Sequence, residues 1–121
     1  MEELNRKLAE WAGFREVYAK SKPFEWLWWL SPQDERLRIL PSFTDSLDAC
    51  FKWLVPKLKS LLDKETTRMQ LECSHRKEGE WLFWFDDYTP HSHHYGYAET
   101  PALALCKAIE KLIDEEQSDG N

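Results

Sequence analysis

The run His91-Ser92-His93-His94, a few residues beyond Asp86-Asp87, is the densest group of side chains here able to hold a metal or move a proton. In an extended chain alternate side chains share a face, so His91 and His93 point together, and two imidazoles on one face can begin a zinc site. His75, Asp86 and Asp87 are the candidates to complete it. No HExxH and no paired CxxC accompanies them, so the same residues also read as a solvated polar loop whose histidines charge together near about pH 6. The reading therefore assigns no metal and no cofactor, and keeps His91 and His93 as the place where a metal-dependent hydrolase would start. Asp86-Asp87 could hold a cation or act as acid and base, but neighbouring carboxylates at a strand end diverge, and the pair reads as a strand-to-loop transition. Cys50, Cys73 and Cys106 stand singly on apolar faces. They read as reduced, buried thiols, and not as nucleophiles, which need exposure and an activating neighbour.

Other residues suit binding better than catalysis. Arg36 and Arg38 alternate onto one face of a short strand, where two guanidinia could fork a phosphate or carboxylate; equally, they are charges that keep an edge strand soluble. Trp28, Trp84 and Tyr95 could stack a base, which makes Arg36, Arg38, Trp84 and Tyr95 the candidate small-ligand residues. On a helical wheel Trp53 falls roughly 140° from the main apolar stripe of its helix. Ala49, Trp53 and Pro56, flanked by Lys52, make a second apolar strip, read either as a surface for a partner or a second copy, or as a contact covered by a neighbouring element.

These groups need a scaffold, and two aromatic stretches dictate it: Trp26-Leu27-Trp28-Trp29-Leu30 and Trp81-Leu82-Phe83-Trp84-Phe85. In a strand both faces of each would be apolar, so each needs cover on two sides. Residues 2–12 carry a helical stripe of Leu4, Leu8, Trp11 and Ala12, closed by Gly13. Residues 24–30 and 36–40 read as strands joined by the turn Ser31-Pro32-Gln33-Asp34. Ser46 is among the N-cap candidates for a helix over 46–63, with Leu47, Phe51, Leu54, Val55, Leu58 and Leu62 as its buried stripe and a bend or tightened turn at Pro56. Residues 66–75 alternate Met69, Leu71 and Cys73 against Arg68, Gln70, Glu72 and Ser74. Strands at 81–86 and 93–98 follow, with Gly96 marking a bulge or an edge. Thr100-Pro101 opens a last helix to about 116. The order α-β-β-α-β-β-(β)-α predicts an α+β fold: a three-layer α/β/α sandwich around an antiparallel sheet of four to five strands.

The 121 residues fit one domain over 1–116 with an acidic tail at 117–121, and 42% apolar and 14% aromatic content places the chain among globular proteins. Asp114, Glu115, Glu116 and Asp119 carry much of the net charge of −6; without them it is −2. No basic stretch reads as a nucleic-acid footprint, and no apolar run is long enough for a membrane span or a secretory leader. Unpaired cysteines fit a reducing cytoplasm.

Three segments, Asn5 to Phe14, Pro41 to Leu58 (PSFTDSLDACFKWLVPKL) and Ala98 to Asp114 (AETPALALCKAIEKLID), resemble the small phage-associated proteins described as the phage ABA sandwich domain. The likeness covers about half the chain and lies in core and capping positions. It implies a layered α/β/α fold and a phage, prophage or mobile-element source. It brings no established activity, and so no catalytic residue. The expectation is a non-enzymatic, cytoplasmic binding protein that acts on a host protein, with counter-defence as its specific role, or on itself. A small-ligand, nucleotide-type binder and a His-cluster hydrolase are the alternatives.

Overall fold

The computed structural model describes residues 2–21, 24–61, 68–86 and 93–119. Helix α1 (Glu2–Ala12) buries Leu8, Ala9 and Ala12 and stops at Gly13, whose φ of 108° suits only a residue without Cβ. Strand β1 (Arg15–Ser21) follows, a strand the periodicity does not announce. It pairs antiparallel with β2 (Phe24–Leu30), in register from Arg15–Leu30 to Ser21–Phe24. The turn after β2 closes as expected, with Asp34 N–H on Ser31 O at 2.9 Å. Strand β3 is only Arg36–Leu37, so pairing beside Trp29 and Leu30 ends three residues earlier than the predicted 36–40.

The predicted 46–63 helix is one helical stretch in three parts: α2 (Leu47–Ala49), a π-helical turn (Cys50–Leu54) and α3 (Val55–Leu61). Ser46 caps it, its Oγ accepting Ala49 N–H at 3.1 Å. The expectation at Pro56 was a bend or a tightened turn; the turn before it instead widens, and Val55 N–H reaches back five residues to Cys50 O. A proline ring collides with the carbonyl four residues earlier, and a wider turn moves that carbonyl away. The extra residue also rotates the register by roughly 100°. Phe51, expected inside, is therefore 50% exposed, and Trp53, expected outside, is 7% exposed.

The second sheet holds β4 (Arg68–Cys73), β5 (Trp81–Asp86) and β6 (His94–Ala98), antiparallel in that order. Helix α4 (Pro101–Asp119) lies mainly over β6 and β5, and carries on past residue 116 into the predicted tail. Thr100 Oγ1 accepts Leu103 N–H at 3.2 Å, the cap that Thr-Pro announces. Gly96 lies on β6, an edge strand of its sheet as expected, in an unbroken register with no bulge. A Cβ there would lie 2.0 Å from Ala104 O and 2.5 Å from Ala108 N, so the strand needs glycine for α4 to sit flush on it.

The fold is α+β, as the sequence predicts, but the described strands divide into two three-stranded antiparallel sheets and do not form one of four to five. One core joins them: Leu8 of α1, Trp29 of β2, Trp53 and Leu54 of the π turn, Phe83 and Phe85 of β5, and Leu105 and Ile109 of α4. Asn5 ties α1 to the segment before α2, donating from Nδ2 to Pro41 O and accepting Phe43 N–H, both at 2.6 Å. The second faces are not sealed as expected. Trp28 and Leu30 in the first sheet, and Leu82 and Trp84 in the second, are only half-buried. Cys73 also departs from its predicted burial. It is exposed, at the end of an edge strand beyond the main cover of α4.

Candidate functional site

The register of the second sheet sorts its residues onto two faces. Phe83 opposes Gly96 and Phe85 opposes His94, so these face α4 and the core. The residues between them face away: Leu82 beside Tyr97, Trp84 beside Tyr95, with Glu72 and Gln70 of β4 across from Leu82 and Trp84. Directly opposed side chains on one face lie close enough to act as a unit. Trp84, Tyr95, Leu82 and Tyr97 therefore make a compact aromatic patch on the outer face of a three-stranded sheet. Tyr95 is 41% exposed.

An ion pair frames each end of the patch. At one end Asp86, almost wholly buried, is held by Arg68 through two hydrogen bonds, Nε to Oδ1 at 3.2 Å and Nη2 to Oδ2 at 3.0 Å. His93 Nδ1 lies 3.3 Å from the same Oδ2, and its ring stacks toward Tyr95 with centroids 6.3 Å apart. A buried carboxylate needs such partners to offset its lost hydration. At the other end Arg76 lies over the Tyr97 ring, 3.8 Å from the centroid, and grips Glu80 from Nε at 3.2 Å and Nη2 at 2.9 Å. The hydrogen bond from Arg76 holds the Glu80 carboxyl below the usual carboxylate range, and Glu80 in turn holds the guanidinium proton of Arg76 more tightly than usual.

The remaining expected groups do not converge. His93 joins this face, but His94 turns to the opposite one, stacking on Phe85 at 4.8 Å with its Nε2 2.7 Å from Glu115 Oε2. His91 and Asp87 lie outside the described residues, and among the described residues no three histidine, cysteine, aspartate or glutamate side chains cluster as a metal would need. Arg36 and Arg38 belong to the other sheet's end and are not a fork. Strand β3 stops at Leu37, so the alternation that aligned them lapses; Arg36 sits 5.3 Å from the Trp28 centroid. Arg38 lines a shallow cleft of about 420 Å³ with Glu2, Trp29, Ile39 and Asp45. Glu2 and Asp45 give that cleft two carboxylates beside its one guanidinium.

The Trp53 strip is covered from within. Phe14 packs edge-on against Trp53 with centroids 5.0 Å apart, and Lys52 Nζ lies 4.8 Å from the Trp53 ring. Ala49 is half-buried and Pro56 is exposed, while the ring between them is in the core, as the reading of a contact covered by a neighbouring element has it. Sequence reasoning named Trp84 and Tyr95 and missed Leu82, Tyr97, Arg68 and Arg76 as their companions. The signal was the odd–even phase of 81–86 and 93–98, which places Leu82 and Trp84 together, and Tyr95 and Tyr97 together, once the two strands are paired.

No helix is long and apolar enough to cross a membrane among the described residues. No protein-family model, no curated protein and no solved structure matches the chain.

Proposed function

We propose that this chain is a small non-enzymatic binding protein of phage or mobile-element origin, and that it acts on a host protein in the bacterial cytoplasm through the outer face of its second sheet. One observation carries the reading: Trp84, Tyr95, Leu82 and Tyr97 sit together on a face turned away from the core, framed by fixed ion pairs. Aromatic side chains with an apolar body and a polar tip are enriched at protein interfaces, and a rim of ordered charge sets orientation. The phage ABA sandwich resemblance supplies the source, and with it the reading that helices and sheets stack as α/β/α layers. A counter-defence role belongs to the same proposal.

The test is a photo-cross-linking residue in place of Tyr95, with Phe51 as the control position. The Tyr95 position is expected to give a host-protein adduct of defined mass that disappears when Trp84→Ala is added. Equal adducts from both positions, or none from Tyr95, contradict the proposal.

The second reading, a nucleotide-type ligand, is favoured by the direct pairing of Trp84 with Tyr95, since a base can stack on such a platform. It is disfavoured by the charge balance, because Arg68 and Arg76 at the two ends each already face a carboxylate. A nucleotide that raises the thermal midpoint of the wild type and not of Trp84→Ala would move the proposal to this reading.

A further inference from the structure

Cys50 opens the π-helical turn and Cys106 lies on α4, 56 positions along the chain, yet both side chains are fully buried with their Sγ atoms 3.8 Å apart. The Cys50 thiol donates to Phe43 O at 3.1 Å. The wide turn ahead of Pro56 begins at this residue, Cys50 O accepting the Val55 N–H. An S–S bond needs about 2.05 Å, so closure asks the two sulfurs to approach by less than about 2 Å, within reach of a change in side-chain torsion.

We propose that Cys50 and Cys106 are an oxidation site, closing to an intramolecular disulfide with a peroxide as oxidant and joining the π turn to α4. In the first step one sulfur attacks a peroxide oxygen. The O–O bond breaks, a sulfenic acid forms, and the departing oxygen leaves as water with the thiol proton. In the second step the other sulfur attacks the sulfenic sulfur. The S–S bond forms, the S–O bond breaks, and a second water carries off the remaining proton. Together the two sulfurs lose two electrons and the peroxide gains them.

The hydrogen bond with Cys50, together with burial, pushes the Cys106 thiol well above its ordinary value, so it stays protonated at neutral pH. Reaction is therefore slow and follows local opening of the helices. Cys73 is exposed on β4 and reacts independently of that buried pair. Once formed, the bond would restrain a long loop of the unfolded chain and stabilise the fold.

The test uses the full chain carrying Cys73→Ser, treated with hydrogen peroxide for as long as the core amides take to exchange. The expected product has lost two hydrogens by intact mass and yields a peptide joining Cys50 to Cys106. Neither cysteine is alkylated after denaturation, and the thermal midpoint rises until a dithiol reductant reverses it. Adding Cys106→Ser should abolish the two-hydrogen loss. An unchanged mass over that time, gain of oxygen atoms in place of hydrogen loss, or a cross-linked form with a lowered midpoint would each overturn the site.

Discussion

Among the described residues, Asp86 is the most deeply buried carboxylate. It sits at a strand end with 2% of its side chain exposed, and its partners are Arg68, half in solvent, and His93. Breaking a fully buried pair by removing one partner costs about 3–5 kcal/mol. With Arg68 half exposed and His93 retained, Arg68→Met is expected to cost about 2–3 kcal/mol, and Arg68→Met with Asp86→Leu less than the single change; urea unfolding of both variants checks this. Glu80 gives a pH signature. Its folded carboxyl lies below the ordinary 4.5, so the pair with Arg76 contributes stability above that value and loses it as the pH falls through the lowered one. Wild type should lose stability more steeply than Glu80→Gln on acidification below about pH 4.5, with the two curves parallel at neutral pH. Unfolding midpoints measured across that range decide it. Neither pair was legible in the sequence. Asp86 and Arg68 lie 18 positions apart, and only the β4–β5 register makes them neighbours.

At the scale of elements, local chemistry told most where the signal is local. Gly13, Ser46 and Thr100-Pro101 end or begin helices where they were expected to, because capping depends on a few adjacent residues. The aromatic runs at 24–30 and 81–86 are strands, as their composition requires. Strand β1 was not legible. Arg15-Glu16-Val17-Tyr18-Ala19-Lys20-Ser21 offers only Val17 and Ala19 as an apolar alternation, and it becomes a strand because β2 needs an edge partner. The helix around Pro56 failed for another reason. A wheel drawn at a constant 100° per residue cannot foresee a π turn, and one inserted residue exchanges the places of Phe51 and Trp53. Trp53→Ala is accordingly expected to cost about 3–5 kcal/mol, as for a large core aromatic, and Phe51→Ala less than about 1 kcal/mol. The reverse ranking in denaturant unfolding would restore the uninterrupted helix.

For the molecule as a whole, the two sheets and the helices share one core, while each sheet keeps a second, partly open face. The rule that doubly apolar strands need two covers foresaw the demand and misjudged the supply. Helix α4 covers one side of the second sheet, and the other side is left with Leu82, Trp84, Tyr95 and Tyr97. The candidate site was thus half legible. Trp84 and Tyr95 were named, but their joining on one face required pairing of β5 with β6, and the anchoring role given to Trp53 was lost to the π turn. If that open face is a recognition surface, its aromatics are kept for contact with a partner more than for folding. The direct measurement is equilibrium unfolding of Trp84→Ala, Tyr95→Ala and Trp53→Ala beside capture of the cross-linked host protein. The outer-face changes are expected to cost about 1–2 kcal/mol each and to abolish capture, while Trp53→Ala costs about 3–5 kcal/mol. Outer-face changes as costly as Trp53→Ala, with capture by the folded fraction unaltered, would show that the face belongs to the core and contradict the account.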